Sequence, residues 1–77
     1  MPTVTDRYGV ERYINPNLVE HIEVTEMKVL TADKGRAKKN PDGTYSVESA
    51  CVVKMSTGVS FDFDGSLQSV VQTLKVP

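Results

Sequence analysis

Cysteine and histidine occur once each in this chain, as Cys51 and His21, and tryptophan does not occur. A single cysteine excludes an internal disulfide, and one cysteine with one histidine cannot supply the Cys- or His-rich ligand set of a structural zinc. Catalytic signatures are equally scarce. The sequence holds no glycine-rich phosphate loop and no metalloprotease helix. Its histidine lies in Glu20-His21-Ile22-Glu23, where strand alternation turns it to the surface, opposite in sense to Ile22. A non-enzymatic chain with no cofactor is expected. Long apolar runs are also missing, so no segment is expected to cross a membrane. Met1-Pro2-Thr3 opens without the basic and apolar regions of a signal peptide, and the expectation is a cytoplasmic protein. No sign of charge dominates. Nine Lys and Arg stand against ten Asp and Glu, a formal charge of −1, so composition alone predicts attraction to neither nucleic acid nor membrane.

A length of 77 residues fits one small core and no second domain, so residues 1–77 read as a single domain. Domains this small often gain stability from disulfides, a metal or self-association, and only self-association is left open here.

Periodicity defines the elements. Leu67, Val70, Val71 and Leu74 recur on one helical face, with Ser66 as N-cap behind Gly65 and Asp64 near the positive end of the helix dipole. So short a helix must dock its apolar stripe on another element. Val59, Phe61 and Phe63 alternate with Ser60, Asp62 and Asp64, and Tyr45, Val47, Cys51, Val53 and Met55 share one parity upstream. Ser56-Thr57-Gly58 between the two runs is a hairpin connection. Asn40-Pro41-Asp42-Gly43 is a second turn, which predicts one long strand from His21 to Lys39, kinked near Lys34-Gly35. Val4, Tyr8, Val10, Tyr13 and Ile14 form a weaker strand pair around Gly9, and Leu18, Val19 and Ile22 suit a helical turn or a bend. The expected fold is mainly β (α+β): a curved antiparallel sheet of about five strands with one C-terminal helix packed on it. Cys51, Val53, Phe61 and Phe63 against Leu67, Val70, Val71 and Leu74 should form the core centre.

Charge clusters in one place. Lys34, Arg36, Lys38 and Lys39 fall within residues 34–44, a segment read as a protruding basic hairpin arm. On a regular strand Lys34, Arg36 and Lys38 would form a row spaced about 6.5 to 7 Å apart, similar to successive phosphates, and Tyr45 would offer a ring for a base to stack on. The same lysines serve equally to solubilise the arm and block edge pairing, with Asp33 and Glu48 offsetting part of the charge. Asp62-Phe63-Asp64-Gly65 resembles the start of a calcium loop, but its twelfth position is Thr73 rather than a bidentate glutamate.

Two blocks carry a family resemblance. Tyr13-Ile14-Asn15-Pro16-Asn17-Leu18-Val19-Glu20-His21-Ile22-Glu23 resembles the INP-x-L-I-E-x-I-E stretch of the small flagellar-operon swarming-motility proteins. Thr57-Gly58 and Ser66-Leu67-x-x-Val70-Val71 resemble that family's later hairpin and terminal helix. More distantly the order is similar to the LytTR DNA-binding domain. Residues 26–50 depart from the family, which joins these blocks by a much shorter hairpin. The resemblance implies a small bacterial or phage β-sheet-plus-helix protein, and the family pattern has no catalytic motif to carry over. The expected function is a protein-interaction module, with a protein partner or self-association. The alternative is a nucleic-acid-binding regulator that uses Lys34, Arg36, Lys38, Lys39 and Tyr45.

Overall fold

The computed structural model describes residues 3–76. In chain order the elements are β1 (Val4–Thr5), β2 (Glu11–Arg12), a 3-10 turn (Pro16–Leu18), β3 (Val19–Lys28), β4 (Val47–Met55), β5 (Ser60–Asp64) and α1 (Leu67–Leu74). Strands β3, β4 and β5 form an antiparallel meander in that spatial order, and β1 and β2 form a separate two-stranded sheet. The expected five strands are therefore split between two sheets instead of sharing one. The physical reason is length: β1 and β2 have two residues each, and the loop between them meets β5 through one backbone bond, Arg7 N–H to Asp62 O at 3.0 Å.

The β4–β5 hairpin follows its alternation. Gly58 takes φ 91° in the turn, and the register pairs Cys51 with Phe63 and Val53 with Phe61, so these four side chains share one face. Helix α1 packs on β4. Ser66 Oγ accepts the Ser69 N–H at 3.2 Å at its N-terminus, and Lys75 closes its C-terminus in the left-handed region at φ 57°. Gly65 lets strand turn into helix, because a Cβ there would stand 2.6 Å from Ser69 Oγ.

The buried cluster is Ile14, Cys51, Val53, Met55, Phe63, Val70 and Leu74. Phe61 is only half-buried beside it, Val71 is also only partly buried and outside the cluster, and Leu67 is 44 % exposed, so three members of the expected core lie at its margin. Asn15 caps the 3-10 turn by accepting the Asn17 N–H at 3.0 Å, and Ile14 just before it enters the core.

The long strand expected from His21 to Lys39 stops at Lys28. Beyond it the chain reverses twice. The first reversal is fixed by Asp33, whose carboxylate accepts from Thr31 Oγ1 and, at 3.0 Å, from the Gly35 N–H, while Lys34 sits at φ 61°. It closes with the antiparallel bridge Leu30–Ala37. The second is the expected Asn40–Gly43 turn, with Gly43 N–H to Asn40 O at 3.0 Å and the bridge Lys39–Tyr45. Among the described residues no helix is long and apolar enough to cross a membrane.

Candidate functional site

Lys34, Arg36, Lys38 and Lys39 are all exposed, and among the described residues none of them joins an ion pair. The double reversal breaks the expected row. Lys34 is in the first turn, with its Cγ 3.8 Å from where a Cβ on Gly9 would stand, and Lys38 donates its backbone N–H to Val29 O at 2.8 Å. Lys39 instead faces Tyr45 across the second hairpin. Lys28 Nζ lies 4.3 Å from the centroid of the Tyr45 ring, so a cation covers one face of the ring expected to stack on a base. Lys28 is the residue that sequence reasoning missed. It approaches Tyr45 because β3 pairs Lys28 with Val47, a long-range register without a local signal. Glu48 does not serve the arm either, since Arg7 Nη2 engages it at 3.4 Å. Asp42 belongs to its own turn, where hydrogen bonds from the Thr44 hydroxyl and backbone hold its carboxyl below the usual range.

The second cluster was not anticipated. Arg7 lies across the face of the sheet opposite α1, with a side chain only 2 % exposed. Its Nη2 donates to Lys28 O at 2.6 Å, and its Nε lies 3.2 Å from Asp64 Oδ1 without its N–H being aimed at that oxygen. One guanidinium thus touches all three strands of the meander. Asp6, also buried, accepts from the Tyr8 and Val10 N–H groups and from Arg12 Nε, at 2.9, 3.1 and 2.9 Å. Burial pushes the Asp6 carboxyl up, but the Arg12 bond and the two backbone donors outweigh it and leave the group below its ordinary value. Tyr8 Oη donates to Asp62 Oδ2 at 2.7 Å, and this bond, with burial, raises the phenol. The two carboxylates of the calcium-like segment are therefore committed to Tyr8 and Arg7, and a guanidinium beside Asp64 opposes a cation there. A cavity of about 200 Å³ borders Asp6, Arg7, Asp64 and Ser69, and one of about 420 Å³ borders Val4, Tyr13, Ile14, Pro16 and Leu74. Neither is lined by His21, which is exposed on β3 between Glu20 and Glu23.

The third feature is an edge. Among the described residues β3 pairs with β4 on one side and with no strand on the other. The strand's register shifts at Glu20, so its regular part is His21–Lys28, and at its end Lys28 O already accepts from Arg7 Nη2. Val24, opposite Cys51 on the face that carries α1, is 59 % exposed because the helix sits over β4 and stops short of it. The opposite edge of the meander is treated differently, since the loop between β1 and β2 meets β5 there. No protein-family model, curated protein or solved structure matches the chain.

Proposed function

We propose that the chain is a non-enzymatic interaction module that binds a protein partner by adding a strand to the free edge of β3. One observation carries the reading: the outer edge of β3 has no strand partner among the described residues, beside Val24, an apolar side chain 59 % exposed. An open edge offers a row of backbone donors and acceptors, and an incoming strand satisfies them while covering the exposed side chains. The small core supports the same reading, because a chain of this size has little apolar area of its own to bury.

A second reading is favoured by a different observation. Four exposed cations, Lys34, Arg36, Lys38 and Lys39, have no ion-pair partner among the described residues, and one of them, Lys39, pairs across the second hairpin with Tyr45, whose ring Lys28 covers. This is a surface for a polyanion such as nucleic acid. One capture experiment from a host lysate separates the two. Val24→Lys should abolish retention of the protein partner without changing the melting curve. The variant with all four arm residues changed to Ala should keep that partner. Strand addition is wrong if Val24→Lys retains the same proteins as the wild type. If the arm instead binds duplex DNA, log affinity should fall with log salt at a slope of about −3 to −4, and the arm variant should lose that binding.

A further inference from the structure

A net charge of −1 conceals a separation of charge along the chain. Residues 28–45 carry five cations, Lys28, Lys34, Arg36, Lys38 and Lys39, against two Asp, a balance of +3, while the rest carries four against eight, a balance of −4. Lys28 ends β3 opposite Val47 at the start of β4, so the basic segment lies beyond one end of the meander, and Glu20 and Glu23 lie toward the other end of β3. Its two acids face their own turns: Asp33 accepts from the Thr31 hydroxyl and the Gly35 N–H, and Asp42 from the Thr44 hydroxyl and N–H. The segment is held by the isolated bridges Leu30–Ala37 and Lys39–Tyr45 instead of a continuous two-stranded ladder, with Lys34 in the first turn and Lys39 in the second hairpin. No regular ribbon is therefore formed to enter a major groove, and no straight row of cations follows the phosphates of a duplex. A long rigid duplex would also carry its phosphates past the arm and toward the acidic body, where like charges repel.

We propose that this basic end binds a short single-stranded stretch of nucleic acid, with Tyr45 stacked on one unpaired base and Lys34, Arg36, Lys38 and Lys39 on the phosphates. This rests on the polyanion reading above and is independent of the β3 edge. Lys28 Nζ holds one face of the Tyr45 ring at 4.3 Å, and Tyr45 is still 41 % exposed, so the base takes the side away from Lys28. An aromatic ring stacks on a base only where the base is unpaired and its face is open. A flexible single strand follows the double reversal and brings phosphates to cations that no straight row contains. Every base has a stacking face, so the site tolerates sequence.

Fluorescence anisotropy on the full chain at low ionic strength tests it, with labelled oligo(dT) and oligo(U) of about 12 nucleotides and a DNA duplex of the same length. At least one single strand should bind more tightly than the duplex, and comparison of the two tells DNA from RNA as the source. For four phosphate contacts log affinity should fall with log salt at a slope of about −3. Tyr45→Leu should weaken the binding about tenfold with the salt slope unchanged, and Tyr13→Leu, a change on the body, should leave it as it is. The chain has no tryptophan, so tyrosine emission gives a second reading: the single strand should quench it in the wild type and distinctly less in Tyr45→Leu. A duplex bound as tightly as both single strands, or Tyr45→Leu binding like the wild type, overturns the single-strand inference and leaves the polyanion reading in place. If none of the three probes binds, or the variant with all four arm residues changed to Ala binds as well as the wild type, both fall.

Discussion

A guanidinium taken out of water is costly unless its donors and its charge are met, and Arg7 has its charge met from three strands at once while its Nε–H is left without an acceptor. Truncating it leaves the Lys28 carbonyl, Glu48 and Asp64 without this partner. Breaking a buried pair typically costs ~3–5 kcal/mol. Glu48 and Asp64 are 38 % and 37 % exposed at the side chain and can rehydrate, which places Arg7→Ala near the lower end, about 3 kcal/mol. Urea unfolding measures it, and a loss under about 1 kcal/mol would show that the clamp adds little. Asp6 gives a pH signature. Its folded-state pKa is depressed, so its contribution is fully present above the unfolded value of about 3.9 and is lost as pH falls through the folded value. Wild type should therefore exceed Asp6→Asn in stability at pH 6, and the gap should close on acidification below about pH 4. A gap independent of pH would assign the effect to hydrogen-bond geometry instead of charge.

At the scale of elements, α1 is amphipathic and short, and its docking on β4 decides which aromatic matters. Parity places Phe61 and Phe63 on the same face, but Phe63 is 4 % exposed while Phe61 is half-buried and lies with Arg12 over its ring at 5.3 Å. Phe63→Ala should cost ~3–5 kcal/mol, comparable to the whole stability of a small domain, and Phe61→Ala distinctly less. Thermal melts of the two variants check the order, and the reverse order would mean that the helix covers the other end of β5. The arm shows where local reading stops. Asn40–Gly43 was legible as a turn because proline, aspartate and glycine each have a local role in it. The turn at Asp33-Lys34-Gly35 was read as a kink because Lys34 carries a Cβ and gives no sign of its positive φ. Its acceptor network, Asp33 with Thr31 and Gly35, makes it a full reversal.

Over the whole molecule these two reversals matter more than any single contact. They help draw the molecule out to 43 Å along its long axis against 22 and 21 Å across, a shape with much surface for few residues. The candidate arm was legible as a charge cluster, and its five residues are all exposed. Its geometry was not, since Lys34 and Lys39 are separated into different turns and Lys28 reaches Tyr45 through the β3–β4 register. The free edge of β3 was hidden for a related reason. Whether a strand lies inside a sheet or at its margin depends on what pairs beside it, and β1 and β2, the only other strands among the described residues besides β4 and β5, leave that edge uncovered.

The sequence by itself determined the helix and its cap, the β4–β5 hairpin with its buried parity, the Asn40–Gly43 turn, and the lack of an internal disulfide. Each depends on residue types a few positions apart, where alternation, helical period and turn chemistry act directly. Tertiary structure alone decided that the strands form two sheets, that Arg7 and Asp6 are buried, that Phe63 and not Phe61 sits in the core, and that β3 ends at an open edge. Those outcomes follow from contacts between residues tens of positions apart, whose gain appears only when the chain has closed the loops between them.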